Sequence, residues 1–203
     1  MDHIKHYFAT ENNIIMSIAL RRHMEAIVPL TDAEFEHILS YFTTKKLKKH
    51  QFLVQEGNEV LHEYFVIKGL LKASYTNEAG KEHILQFAME DWWVTDYQAY
   101  VNQTKAKLNI DCLEDTTLLC FSSENKKKLC AASHKVEHFS RMKTTSGFVA
   151  LQQRILSLLS DDAQSRYELL LAQYPLLFQR VPKSLIAAYL GVSRETLSRF
   201  SAK

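Results

Sequence analysis

The sequence predicts an α+β chain: a roll of short antiparallel strands, a long helix after it, and a small all-helical C-terminal end. Three observations lead there. Between Lys46 and Phe121, short β-branched and aromatic runs recur at near-regular spacing with turn residues between them. On either side of that stretch, apolar residues fall at three- and four-residue spacing instead. Last, Val181 to Lys203 reads as two short helices around a single glycine.

In chain order, an early helix is expected through Ile14 to Ile27, and Pro29 separates it from the next. Thr31-Asp32-Ala33-Glu34 has the form of a capping box. It opens a second helix with Phe35, Ile38, Leu39 and Phe42 along one side. Strand-like runs follow at Phe52–Val54, Tyr64–Ile67, Leu70–Tyr75, Glu82–Phe87, Leu108–Leu113 and Thr117–Phe121. The turns between them are signalled at Glu56-Gly57-Asn58, Lys68-Gly69, Asn77 to Gly80, and Glu114-Asp115. Such a series suggests a β-sandwich or jelly roll. Lys126 to Leu129 then predicts a short helix. A long one from His134 toward Gln153 has Val136, Phe139, Met142, Val149 and Leu151 as its apolar positions. Gly147 inside it costs about 1 kcal/mol relative to alanine; with Ser146 it is one way to admit close approach of another helix. A further helix, Arg154 to Tyr174, is expected to stop before Pro175. The expected division is a roll domain with its flanking helices over 1–150 and a small helical domain over 151–203.

The chain has 203 residues, 46% hydrophobic and 24% charged, the mix of a water-soluble globular protein. No stretch approaches the ~18 consecutive apolar residues of a membrane span. The N-terminal MDHIKHYFATENN has neither a long apolar core nor a small-residue cleavage site, so no secretory signal is expected. Cys112, Cys120 and Cys130 are odd in number with no CxxC spacing, which favours a reducing, cytoplasmic compartment. The net charge of +2 is unevenly spread. From Arg141 onward there are nine Lys/Arg against four Asp/Glu; before it, sixteen against nineteen.

That basic excess coincides with the most informative stretch, VPKSLIAAYLGVSRETLSRFSAK. Pro182 suits the first turn of a helix. Leu185, Ile186, Ala188, Tyr189 and Leu190 are read as its apolar side, and Gly191 as the left-handed residue ending it. Ser193 is the expected N-cap of a second helix through Thr196 and Leu197. Two short helices joined by a three-to-four-residue glycine turn form a helix-turn-helix. Arg194, Glu195, Ser198 and Arg199 lie on the second helix. Arg194/Ser198 and Glu195/Arg199 are each one turn apart. Arginine pairs with guanine edges and glutamate accepts from cytosine N4 in the major groove, and excess basic charge at that end suits phosphate.

The order helix, roll, long helix, helix-turn-helix resembles the cyclic-AMP receptor protein/FNR superfamily of bacterial transcription regulators. Glu56-Gly57-Asn58 resembles its glycine turn, Tyr64 to Lys72 its strand–glycine–strand hairpin, and Gly80-Lys81-Glu82 its Gly-Lys/Arg-Glu turn. Gly191 to Arg199 follows its recognition-helix pattern. The layout is similar to the Bacteroidetes-type branch, whose members often lack a defined ligand. The resemblance covers residues from about 30 to 203. It implies a cyclic nucleotide-binding-like roll, a homodimer joined through the long helix, and DNA half-sites about one turn apart. Double-stranded DNA with a palindromic operator is the implied partner, with RNA polymerase as a further one and no membrane. It also implies base contacts by Arg194, Glu195 and Arg199, and phosphate contacts by Ser184 and Ser193 with the helix N-termini.

The sequence departs from the family in its phosphate cassette. Nucleotide-binding members carry Gly-Glu before a short helix and Arg-Ser/Thr after it; here Val94-Thr95 and Lys105-Ala106-Lys107 stand at those places. A lysine replaces the charge without the bidentate geometry. The segment is aromatic instead. Trp92, Trp93, Tyr97 and Tyr100, with Lys105 and Lys107, are either a pocket for a flatter or less charged ligand or filling for the roll interior. Cyclic AMP is not expected to bind. No cofactor is expected, and no metal: no cysteine precedes Cys112 to hold an iron–sulfur cluster. Cys130, His134 and His138 stand at i, i+4, i+8, a soft-metal spacing that a partly buried helix face also produces incidentally. The expected DNA-binding end has little or no β-wing, since Pro175 to Pro182 does not read as a strand hairpin and few residues follow Arg199. No nucleophile elbow, P-loop, Rossmann fingerprint or cupin-type His-x-His set is present, so an enzyme is not expected. The alternative reading is a ligand-binding or interaction module that keeps the fold and no longer regulates DNA.

Overall fold

The computed structural model describes residues 17–200, which fall into two compact units. One comprises 17–73 and 87–142; the other comprises 74–86 and 143–200.

In the first unit, helix α1 covers residues 17–25 and buries Leu20 and Met24. The sequence-expected start at Ile14 lies outside the described residues. Helix α2 (Asp32–Leu39) opens with the expected capping box: Thr31 Oγ1 accepts from Glu34 N–H at 3.3 Å, and Glu34 Oε2 accepts from Thr31 N–H at 2.8 Å. The helix stops at Leu39, so Phe42 is not its last apolar position but the first residue of strand β1 (Phe42–Leu47). Phe42-Thr43-Thr44 is β-branched and aromatic, a composition that pairing with a neighbouring strand exploits and helical spacing alone conceals.

The roll consists of two four-stranded sheets, β1-β8-β3-β6 and β2-β7-β4-β5. The strands are β2 (Phe52–Val54), β3 (His62–Lys68), β4 (Leu71–Thr76), β5 (Glu82–Ala88), β6 (Trp93–Val94), β7 (Asn109–Cys112) and β8 (Thr116–Ser122). All six expected strands are there; β1 and the two-residue β6 are additional. Central strands β3 and β8 pair antiparallel from His62↔Ser122 to Lys68↔Thr117 and bury both faces. Period-two alternation sends Tyr64, Val66, Leu118 and Cys120 into the core between the sheets. It sends Phe65, Leu119 and Phe121 into a second core with Leu20, Met24, Phe35, Ile38, Leu129, Val136 and Phe139. That is why Tyr-Phe-Val-Ile and Leu-Leu-Cys-Phe read as continuous apolar runs. The observed fold is thus an antiparallel jelly roll with a helical C-terminal region, α+β as expected.

Helix α1 ends at residue 25 rather than Ile27, and three further helices differ from expectation. The short helix is α4 (Ser123–Ala132), three turns rather than one, capped by Ser122 Oγ on Asn125 N–H at 3.1 Å. The long helix α5 (His134–Ser160) does not end near Gln153. Nothing between Gln153 and Ser160 breaks a helix, whereas Asp161 and Asp162 stop one and start the next. Ser157 Oγ donates to Asp161 at 2.6 Å, and Asp162 Oδ1 accepts from Ser165 N–H at 2.8 Å. The following helix, α6, is therefore Ala163–Gln173 and not Arg154–Tyr174. A Cβ at Gly147 would meet nothing within 4 Å in this single chain.

In the second unit, α6, α7 (Pro175–Arg180), α8 (Lys183–Leu190) and α9 (Arg194–Phe200) surround a core of Tyr167, Leu170, Leu177, Val181, Ile186, Ala187, Leu190 and Leu197. The rings of Phe178 and Phe200 lie 5.3 and 5.7 Å from Tyr167. Between Pro175 and Pro182 the chain forms helix α7, with Pro175 in its first turn, and no strand. None of the described helices is long and apolar enough to cross a membrane.

Candidate nucleic-acid interface and roll interior

The two C-terminal helices form as their residues require. Pro182 stands one place before α8, as its N-cap, rather than inside the first turn. Ile186, Ala187 and Leu190 are the buried side of α8; Ala188, expected there, is exposed, because it lies roughly 200° around the helix from Ile186. Gly191 is left-handed at φ 72°, and Val192 N–H donates back to Ala187 O at 3.0 Å, the six-to-one bond of a Schellman ending. Ser193 Oγ accepts from Thr196 N–H at 3.1 Å and caps α9. Leu197 is buried and holds α9 against α6 and α8. Removing its side chain to alanine costs about 2–5 kcal/mol by the usual cavity scale.

With Leu197 inward, Arg194, Glu195, Ser198 and Arg199 are all exposed, as are Ser193 and Ser184. Arg199 Nη2 donates to Thr196 Oγ1 at 3.3 Å. The Glu195 carboxylate is held below its ordinary range by its own backbone N–H and by the Ser193 hydroxyl. Ser184 lies in the first turn of α8, where helix N–H groups lack intrahelical acceptors.

The roll residues singled out from sequence do not converge on one point. Trp92 packs on the core between the sheets and Tyr100 is buried in it. Trp93, next in sequence, turns into the other core: its Nε1–H donates to His23 Nε2 at 3.3 Å, and its ring lies 5.2 Å from Phe65. Tyr97 is 45% exposed. Lys105 and Lys107 are exposed on either side of buried Ala106, and Lys105 Nζ stands 3.7 Å from Glu59. Cys130 and His134 lie on different helices, because the chain breaks at Ser133 between α4 and α5. Among the described residues, no group of three or more His, Cys, Asp or Glu is placed to hold a metal.

Two polar features of the roll went unread in the sequence. Asp96 is 2% exposed and satisfied by backbone alone. Its Oδ1 accepts from Ala99 N–H at 3.1 Å, opening helix α3 (Tyr97–Asn102), and its Oδ2 accepts from Lys107 and Leu108 N–H at 2.9 and 3.1 Å. Glu63, 4% exposed on β3, pairs with Lys126 Nζ at 2.8 Å; burial raises its carboxyl pKa and Lys126 opposes that. Burial, with Glu63 nearby, raises the Tyr100 hydroxyl. A carboxylate after an aromatic run signals an N-cap, but its second set of donors comes from eleven and twelve residues on.

A cyclic nucleotide does not fit this donor set. Val94 and Thr95 are buried, and the Thr95 hydroxyl is committed to His62 O at 2.8 Å. The backbone N–H groups on either side of the segment already hold a carboxylate, against which a phosphate brings a second negative charge.

The fold and the paired C-terminal helices define a class, a β-roll joined to a helix-turn-helix. Comparison with known proteins agrees. Residues 44–133 match the cyclic nucleotide-binding domain family, and the structural neighbours include a putative transcriptional regulator of the CRP/FNR family. FixK2 from Bradyrhizobium japonicum is 17% identical, with 79% of this chain and 83% of that one covered at a TM-score of 0.66. A putative transcriptional regulator of the CRP/FNR family from Eubacterium rectale is 18% identical, covering 84% and 82% at 0.64. The catabolite activator protein of Thermus thermophilus is 22% identical, covering 85% and 83% at 0.52. A search of curated proteins found no significant match. At these identities the neighbours establish a shared fold.

Proposed function

We propose that the chain is a homodimeric, sequence-specific DNA-binding transcription regulator of the CRP/FNR type, acting in the cytoplasm and not as an enzyme. The observation that carries this reading is the exposed set Arg194, Glu195, Ser198 and Arg199 on a helix whose opposite side is anchored by buried Leu197. Arg194, Glu195 and Arg199 read base edges in the major groove, while Ser184 and Ser193 contact phosphates. The working division remains the roll with its flanking helices over 1–150 and the DNA-binding domain over 151–203, with the dimer helix α5 (His134–Ser160) running across that boundary. RNA polymerase is the partner through which such a regulator acts.

Dimerisation is supported by α5. Phe148, Leu151, Ile155 and Leu158 recur at three- and four-residue spacing and are all exposed in the single chain, Phe148 by 66%. Soluble chains seldom leave such a stripe uncovered. The effector is not cyclic AMP, for the reasons of donor commitment and charge given above. Trp92, Trp93, Tyr97, Tyr100, Lys105 and Lys107 remain the residues to vary if a different ligand is found.

Selection of bound duplexes from a random DNA pool tests the function. A two-fold symmetric consensus is expected. No enrichment overturns the reading in favour of an interaction module that keeps the fold without regulating DNA.

A further inference from the structure

The last turn of α8 has four carbonyls without partners inside the helix. Two are taken locally, Ala187 by Val192 N–H at 3.0 Å and Ala188 by Gly191 N–H at 3.3 Å. The other two are taken by arginines: Tyr189 O by Arg154 Nη2 at 3.1 Å, and Leu190 O by Arg166 Nε at 3.2 Å. Both cations lie at the negative end of the α8 dipole. Arg166 also donates to Asp161 O at 2.6 Å.

Arg154 does more than cap. The same Nη2 donates to Ile84 O on β5 at 3.1 Å, and the guanidinium carbon stands 3.5 Å from the Tyr189 ring centroid. Among the described residues no carboxylate pairs with this part-buried cation. Its binding partners are a strand carbonyl, a helix-end carbonyl and an aromatic face. One planar side chain on α5 thus ties β5 to the end of α8. Four residues after Leu190, α9 begins at Arg194.

We propose that Arg154 is a positioning residue for DNA recognition: it fixes the end of α8, hence the aim of α9, and couples both to the β4–β5 hairpin. The proposal rests on the DNA-binding reading for its output and on geometry alone for its latch. A tilt in the last turn of α8 passes directly into α9, because the connection is three residues closed by a Schellman bond and a serine cap. Displacing Ile84 pulls on the same guanidinium. Arginine is required, since lysine supplies the charge at the helix end but neither the planar fork nor the stacking face.

The test uses the full chain with R154Q, R154K and R166Q. Amide exchange is followed without DNA in the segments 82–86 and 187–192, and affinity is measured for the selected operator and for random duplex. Both Arg154 variants are expected to exchange about tenfold faster in both segments, the scale of one lost charge-assisted hydrogen bond. R166Q is expected to loosen 187–192 only. Operator affinity of the Arg154 variants should fall about tenfold while random-duplex affinity stays within about twofold. Rescue by lysine, or faster exchange in 187–192 alone, overturns the coupling. Faster exchange in both segments with operator affinity unchanged overturns the positioning role. If the native chain selects no operator, the DNA-binding reading fails and the positioning role with it, while the exchange results still decide the latch.

Discussion

Replacing Gly69 with alanine tests the tightest turn of the roll. Gly69 joins β3 to β4 at φ 114°, a backbone conformation that L residues rarely adopt. Its N–H donates to Glu90 Oε1 at 2.8 Å, which holds it there. A Cβ would overlap Thr116 Oγ1 and stand 2.8 Å from Thr116 Cα and 2.9 Å from Asp115 O. Rotating the Thr116 side chain relieves only the first contact, and does so by giving up its bond to Glu114 O at 2.9 Å. The other two are backbone atoms where β8 begins, and β8 is paired on both sides, to β1 and β3. The backbone conformation costs about 1–3 kcal/mol and the forced overlap about 1–3 more, so about 2–6 kcal/mol is expected. Gly57 is the control. It also has positive φ, 83°, but a Cβ there meets nothing within 4 Å, so only the conformational cost remains. Urea unfolding followed by tryptophan fluorescence reads the roll, because both tryptophans, Trp92 and Trp93, lie in that unit. Equal destabilisation by Gly69→Ala and Gly57→Ala would refute the steric argument.

Four further outcomes are expected. Arg194→Ala should weaken binding to the selected operator by about 1–3 kcal/mol with little change on random duplex; equal loss on both removes Arg194 from base reading. Ile155→Glu, at the middle of the exposed α5 stripe, should shift sedimentation from dimer toward monomer; an unchanged dimer places the interface elsewhere. Calorimetry with cyclic AMP and cyclic GMP should give no binding signal, and micromolar affinity for either would overturn the argument from Asp96. Glu34 accepts from Lys135 Nζ at 2.7 and 2.8 Å and from Thr31 N–H, and these bonds, Lys135 first, lower its pKa to about 2. A carboxyl depressed in the folded state contributes stability above its unfolded pKa, about 4.3. That contribution is lost as pH falls from there through about 2. An NMR titration of Glu34 should show the low midpoint in the native chain and a rise toward ordinary values in Lys135→Met; an ordinary midpoint in both sinks the assignment.

The legible parts of the chain are those whose signal is local. Thr31 and Glu34 cap a helix from three residues away, Gly191 must be left-handed to end α8, and Ser193 must cap α9. The runs at β3 and β8 are apolar throughout because both their faces are covered. Local signals misled where a neighbour decided the outcome. Phe42 fitted a helical period but is drawn into β1 by pairing with Phe121, whose ring stacks on its own at 4.3 Å. The Asp161-Asp162 stop is equally local, and it ends α5 and starts α6 inside the apolar period of Arg154 to Tyr174.

By itself the sequence determined the α+β order of elements, the antiparallel roll and the paired C-terminal helices, because periodicity, capping and turn chemistry act over a few residues. Only the tertiary structure decided how the singled-out side chains are distributed. Trp92 and Trp93 go to opposite cores, and Lys105 and Lys107 are exposed around buried Ala106. It alone brought Asp96 to the N–H groups of Lys107 and Leu108, and Arg154 to Ile84 and Tyr189, seventy and thirty-five residues away. Those bonds join residues that are neighbours only once the chain has closed on itself, so no local pattern encodes them.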